Sequence, residues 1–164
     1  MALLEILTYP DERLRTIAQP QKEFNLELEQ IVNNMFETMY HANGIGLAAT
    51  QVNIHHQIIV MDISEERNTP KVFINPKIIE KKGKFKNEEG CLSVPDISAK
   101  VERAEEITFE AYDVQGNLFT NKITGLDAIC LQHEIDHLNG ILFVDYLSPS
   151  QLSRLKKKLL TKNK

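Results

Sequence analysis

Thr124-Gly125-Leu126-Asp127-Ala128-Ile129-Cys130-Leu131-Gln132-His133-Glu134-Ile135-Asp136-His137-Leu138-Asn139-Gly140 reads as a single helix. Thr124 with Asp127 three residues on resembles a capping box, and Gly140 supplies a C-terminal cap, so the helix is predicted over Gly125–Asn139. Leu126, Ala128, Ile129, Cys130, Leu131, Ile135 and Leu138 cover nearly its whole circumference, as expected of a helix in the core. Inside it, His133-Glu134-Ile135-Asp136-His137 is an HExxH pattern. At 3.6 residues per turn both imidazoles reach one point, and Glu134 projects beside them as a proton carrier. Burying these three polar groups would cost several kcal/mol unless each found a partner, and one metal ion with its water would satisfy all three. Two solvated histidines on a surface helix are the plainer alternative. The apolar circumference argues against it, and about 0.015 accidental matches are expected from this composition.

A catalytic site of this kind needs a third protein ligand and an open position. Downstream of His137 there is no Glu, His or Cys, and Asp145 is the only acid, so the ligand is expected upstream. Cys130 is on the histidine face but lies about 10 Å of helix rise before His137, too far to share its metal, and reads as a packing residue. Cys91 is favoured, in Glu88-Glu89-Gly90-Cys91-Leu92-Ser93-Val94-Pro95, where Gly90 gives the backbone room and Pro95 is expected to end any strand. The rival reading of Cys91 is a buried, unreactive thiol. His41, His55 and His56 sit in polar or turn-like stretches that suit ordinary surface roles.

Three segments in order carry a resemblance to the peptide deformylase family: Gly44-Ile45-Gly46-Leu47-Ala48-Ala49-Thr50-Gln51, Glu89-Gly90-Cys91-Leu92-Ser93, and Gln132-His133-Glu134-Ile135-Asp136-His137. The likeness extends to Ile74-Asn75-Pro76 and Leu142-Phe143-Val144-Asp145-Tyr146, so it spans almost the whole chain. One departure concerns the rim. Many relatives carry an arginine soon after the Cys-Leu-Ser segment, where this chain reads Asp96-Ile97-Ser98.

The resemblance implies a hydrolase that removes the formyl group from the N-terminal formyl-methionine of new polypeptides and releases formate. It implies Cys91, His133 and His137 as metal ligands, Glu134 as general base turned general acid, and the Gln51 side-chain amide with the Leu92 backbone N–H as oxyanion donors. The peptide is expected to lie along the Ile45-Gly46 and Gly90 backbones as an added strand, since glycines let another chain approach closely. Leu126, Ile129 and Cys130 share the face of His133 and are expected either to line an apolar pocket for the methionine side chain or to be plain core. One thiolate and two imidazoles suggest zinc. The resemblance instead implies Fe(II) natively, with zinc, nickel or cobalt replacing it in purified protein.

Two other classes keep the same helix. A zinc endopeptidase is disfavoured by the missing downstream ligand, and a non-catalytic, metal-stabilised binding protein would close the open position with a fourth protein ligand.

Length and composition agree with a compact enzyme. The 164 residues are 42% hydrophobic, with no linker or repeat to divide them, and are expected to form one domain over 1–164. A net charge of −4 gives no global reason to expect nucleic acid. Two cysteines with separate roles leave no disulfide framework, Met1 to Arg13 lacks a signal pattern, and no apolar run approaches membrane-spanning length. A monomer in a reducing cytoplasm is expected.

Leu28, Ile31, Val32, Met35, Phe36 and Met39 repeat at helical spacing, with Asn25 as start and Gly44 as stop. Ile58–Met61, Val72–Ile74, Ile78–Glu80, Ile107–Tyr112 and Leu118–Ile123 read as strands, with Asp113-Val114-Gln115-Gly116 turning between the last two. The fold expected is α+β. Small antiparallel or mixed sheets surround the HExxH helix, with an amphipathic helix toward the N-terminus and another at the C-terminus. Ser148-Pro149 starts that last helix, Leu152, Leu155 and Leu159 form its stripe, and Lys156, Lys157, Lys158, Lys162 and Lys164 follow. The lysines are either a solvated helix end favoured by the dipole or a surface for docking on the ribosome.

Overall fold

The HExxH residues lie on helix α2, Gly125–Leu138, in a computed structural model that describes residues 2–162, apart from the side chains of Leu159, Thr161 and Lys162. Leu159 of the apolar stripe and the side chain of Lys162 thus fall outside the described residues, as does Lys164. Helix α1 is Leu26–His41 and α3 is Pro149–Lys162. The strands are β1 (Gly46–Ala48), β2 (Ile58–Met61), β3 (Lys71–Lys82), β4 (Phe85–Cys91), β5 (Val94–Arg103), β6 (Glu106–Tyr112) and β7 (Leu118–Thr124). They form a five-stranded sheet in the order β1-β2-β3-β6-β7 and a separate β4-β5 hairpin. Every strand pairing is antiparallel, so the architecture is α+β without a mixed sheet among the described residues.

Alternation within the sheet explains where the helices go. Leu47, Ile58 and Val60 point to one face and pack with Leu28, Val32, Met35 and Met39 of α1. Ala48, Ile59 and Met61 point to the other, into a cluster with Ala128, Cys130, Leu131 and Leu138 of α2. All four residues of β2 are buried, as a continuous apolar run requires of a strand covered on both faces. Each fully buried large side chain contributes about 1.5–3 kcal/mol. Phe73, Phe109 and Phe119 extend the α2 side, with Phe73 and Phe109 edge to face at 5.5 Å between centroids.

Several boundaries differ from the sequence expectation. Helix α1 begins as expected, with the Asn25 side chain accepting the Leu28 N–H. At α2 the Thr124 side chain makes no cap, and the Asp127 carboxylate lies 3.5 Å from Lys71 Nζ instead. The reason is that β7 runs directly into the helix, with Gly125 at φ +63° making the change of direction. Asn139 caps the other end, followed by Gly140 at φ +74°. A Cβ on Gly140 would lie 2.5 Å from the Arg15 carbonyl oxygen. Val72–Ile74 and Ile78–Glu80 belong to one strand, β3, whose register slips between Ile74 and Lys77, where Asn75 adopts φ +51°.

The largest difference is the hairpin. Pro95 does not end a strand but is the second residue of β5. A two-stranded ribbon has edges on both sides, and an exposed proline there costs no ladder bond. The ribbon turns tightly at Leu92-Ser93, where Cys91 pairs with Val94. Leu152 and Leu155 of α3 pack beside it with Val101, Leu142 and Phe143.

Candidate active site

The turn of the hairpin brings Cys91 to the histidines of α2. Cys91 Sγ lies 3.3 Å from His137 Nε2, which lies 3.1 Å from His133 Nε2. The three ligand atoms fall within 4.8 Å of one another. Both histidines are buried and Cys91 is half-buried. His133 Nδ1 lies 2.8 Å from Glu89 Oε1, which turns Nε2 toward His137 and the thiol. Burial pushes His137 well below the usual imidazole range, toward the neutral form that ligates metals. Its buried Nδ1 has no hydrogen-bond partner. Two ring nitrogens and a sulfur converging on one point form a donor set that fits a divalent cation.

Glu89 is in turn held by Arg103, whose Nε and Nη2 donate to the two carboxylate oxygens at 2.8 and 2.9 Å. Arg103 Nη1 donates to Asp136, which also accepts from the Tyr146 hydroxyl at 2.7 Å. Both Arg103 and Glu89 are buried. Burial alone would raise the Glu89 carboxyl, but the hydrogen bonds from Arg103 and His133 outweigh it and hold the pKa below the ordinary value. This chain of charges fixes the His133 ring from behind and ties the hairpin to α2.

Glu134 is buried, and Oε1 has no hydrogen-bond partner. Burial pushes its carboxyl up to about 7, against the pull of nearby His133. The opposite wall is β1. A Cβ on Gly46 would lie 2.5 Å from Glu134 Oε2 and 2.9 Å from Cys130 Sγ, so only glycine lets the strand approach the carboxylate this closely. Gln51 sits in the 3-10 turn Ala49–Val52, its Oε1 accepting the Ala48 N–H at 2.9 Å. Its Nε2 donates to Ser93 Oγ at 3.0 Å and faces Cys91 Sγ at 3.5 Å. Leu92 follows Cys91 in the turn, and its side chain crosses the cleft to Gly44, where a Cβ would meet Leu92 Cδ1 at 2.6 Å.

These groups surround a cleft of about 610 Å³, a size that holds a small ligand or a few residues of a peptide. Ile45, Gly46, Gln51, Gly90, Cys91, Leu92, Leu126, Ile129, Cys130, His133 and Glu134 all line it, whereas His137 lies behind. Leu126 is exposed at the mouth, and Ile129 and Cys130 are buried. Cys130 packs in the core and also faces the cleft. The structure does not bring His41, His55 or His56 to the cleft, and His55 Nε2 instead lies 3.0 Å from Asn53 Oδ1. Asp96, Ile97 and Ser98 form part of the rim. Sequence reasoning missed Glu89, Arg103 and the role of Asp136. Glu89 carried one signal, since it stands two residues before Cys91 on a strand and therefore on the same face.

An α+β sheet wrapped on an HExxH helix, with a cysteine delivered from a hairpin to complete a three-atom donor set, defines a class of metal-site hydrolase folds. Residues 3–153 match the family model described as polypeptide deformylase. The chain is 62% identical over 159 residues to peptide deformylase 1 of Shewanella oneidensis, covering 97% of this chain and 95% of that one. It is 56% identical to the peptide deformylase of Chromobacterium violaceum, covering 100% of this chain and 98% of the relative. Among solved structures, a peptide deformylase from Legionella pneumophila superposes with a TM-score of 0.94 at 45% identity, over 98% of this chain and 95% of that one. One from Ehrlichia chaffeensis in complex with actinonin gives 0.93 at 40% identity, over 99% and 98%. The chain belongs to the polypeptide deformylase family.

Proposed function

We propose that this protein hydrolyses the N-terminal formyl-methionine amide of newly made polypeptides, releasing formate and a free amine. The single observation that carries the reading is the convergence of Cys91, His133 and His137 beside a buried, unpartnered Glu134 oxygen in a peptide-sized cleft. Cys91, His133 and His137 would hold one divalent ion, Fe(II) natively, with zinc, nickel or cobalt able to take its place. Such an ion supplies Lewis acidity and makes a water nucleophilic near neutral pH.

The chain's own residues do the rest. The Glu134 carboxylate accepts a proton as water attacks the formyl carbon, and returns it to the departing amine nitrogen as the C–N bond breaks. A carboxyl balanced near neutrality by burial suits both halves of that exchange. Gln51 Nε2 and the Leu92 backbone N–H donate to the oxygen that gains charge, and the hydrogen bond from Ala48 holds the Gln51 amide in that orientation. The peptide adds as a strand along Ile45-Gly46 and Gly90, and Leu126, Ile129 and Cys130 receive the methionine side chain.

Residues 1–164 act as one catalytic domain, as a monomer in the cytoplasm; no helix of the described residues is long and apolar enough to cross a membrane. Helix α3, with Lys156, Lys157 and Lys158 exposed, is the surface that would meet the ribosome. Formate release from a formyl-Met peptide, with the unformylated peptide as control, tests the activity: no release by metal-loaded protein defeats it. Metal analysis of anaerobically prepared protein tests the ion, and stoichiometric zinc there excludes native iron.

A further inference from the structure

The pairing of β1 with β2 ends at Gly46, opposite Met61, yet the chain that borders the cleft runs on outward through Ile45 and Gly44. Side chains and loop groups take over where the ladder stops. The Asp62 N–H donates to the Ile45 carbonyl at 2.8 Å. The guanidinium of Arg67, from the loop between β2 and β3, donates through Nη2 to the Gly44 carbonyl.

Arg67 is itself held on several sides. Its Nη1 donates to the Asp62 carbonyl at 3.2 Å, and its guanidinium carbon lies 5.0 Å from the centroid of the Tyr40 ring. The Tyr40 hydroxyl donates to Asp62 Oδ2 at 2.6 Å, and the same carboxylate accepts from the Ser64 and Thr69 N–H groups. The loop backbone, the aromatic ring and the carboxylate thus close around a half-buried guanidinium. Its bond to Gly44 is the one that reaches the wall of the cleft.

A trans peptide points its C=O and the following N–H in opposite directions. Holding the Gly44 carbonyl on Arg67, which does not line the cleft, therefore sends the Ile45 N–H the other way. We propose that Arg67 is a positioning residue for peptide binding: it sets the Gly44–Ile45 peptide plane so that the Ile45 N–H meets the backbone of the bound polypeptide. The proposal rests on the deformylase reading and on strand addition along Ile45-Gly46.

The test is steady-state formate release from a formyl-Met tripeptide by wild type, Arg67→Ala and Arg67→Lys, with metal content and thermal melting measured on each. Losing an aligned backbone hydrogen bond should raise KM of Arg67→Ala by roughly threefold to tenfold while kcat and metal content stay within about twofold. Arg67→Lys, which keeps one donor, should fall between the two and stands as the readout where Arg67→Ala does not fold. Formyl-methionine alone, lacking a downstream backbone, should be turned over equally by all three. Unchanged KM with a lower melting temperature, or an equal loss on both substrates, overturns the proposal and leaves Arg67 a structural residue. Absence of formate release by wild type would instead defeat the deformylase reading itself.

Discussion

Two walls of the cleft are built on different physics. Helix α2 is held against the sheet by apolar contact, with Ala128 and Leu131 fully buried. The β4-β5 hairpin is mostly exposed along β4 and is tied to α2 through Glu89, Arg103 and Asp136. One wall therefore carries its histidines on a rigid, packed element, while the other delivers Cys91 on a ribbon positioned by buried charge as well as by the packing of Val94 and Val101 on Leu142 and Phe143. Packing tolerates changes of condition that a charge network does not, because a buried ion pair that loses one member leaves the other uncompensated.

The largest expected effect belongs to the packed wall. Glu134→Ala should leave the metal in place, since Glu134 is not one of the three converging donors, and lower kcat by about 10²–10⁴-fold. Formate release together with metal content checks this, and retained turnover would remove Glu134 from the mechanism. On the charged wall, Glu89→Ala takes the Glu89 carboxylate from Arg103, which keeps its pairing with Asp136, and frees the His133 ring. Stability should fall by about 3–5 kcal/mol in chemical denaturation, and metal affinity by about 10–100-fold in competition with a chelator. A loss below 1 kcal/mol would mean the hairpin is held by something other than this network.

Gly46→Ala probes where β1 meets α2. Its Cβ would fall 2.5 Å from Glu134 Oε2, so activity should drop by about tenfold or more as the carboxylate is displaced, with metal content unchanged. Full activity in formate release would show that β1 can retreat. At the mouth, Leu126 is exposed and its replacement costs little stability, so Leu126→Trp should change the preference for methionine over smaller first residues by about 10-fold or less. Unchanged ratios of kcat/KM would return Leu126 to a plain surface residue.

The smallest effect concerns pH. Burial would raise the Asp62 carboxyl, but hydrogen bonds from Ser64, Tyr40 and Thr69 outweigh it and hold it at about 2. A folded pKa below the unfolded value of about 3.9 contributes stability that is present above that value and lost as pH falls toward 2. Denaturation midpoints of wild type should therefore drop more steeply between about pH 4 and 2 than those of Asp62→Asn. Parallel curves would show that Asp62 does not brace the β1 edge through its charge.

The same contrast decided how much could be read from the chain. Helix α1 and the strands β2, β6 and β7 were legible because apolar residues recur at their own local period, or in β2 run unbroken, and turn residues bound them. The β4-β5 hairpin was not: exposed residues such as Lys86 and Glu88 give β4 no apolar alternation, and the alternation of β5 from Ile97 to Glu102 follows a proline, so that its partner strand rather than its composition makes it a ribbon. Pro95 misled for the same reason: a proline ends a central strand but not an edge.

By itself the sequence determined that one buried helix presents two histidines and a glutamate on one side, since that follows from a period of 3.6 residues and needs no distant contact. It also narrowed the third donor to the upstream chain and favoured Cys91. Only the tertiary structure brought Cys91 to within 3.3 Å of a histidine 46 positions away, set Glu89 and Arg103 behind the ring, and put Arg67 on the Gly44 carbonyl. Those contacts join segments with no shared periodicity, and buried charges choose their partners only once packing has brought them together.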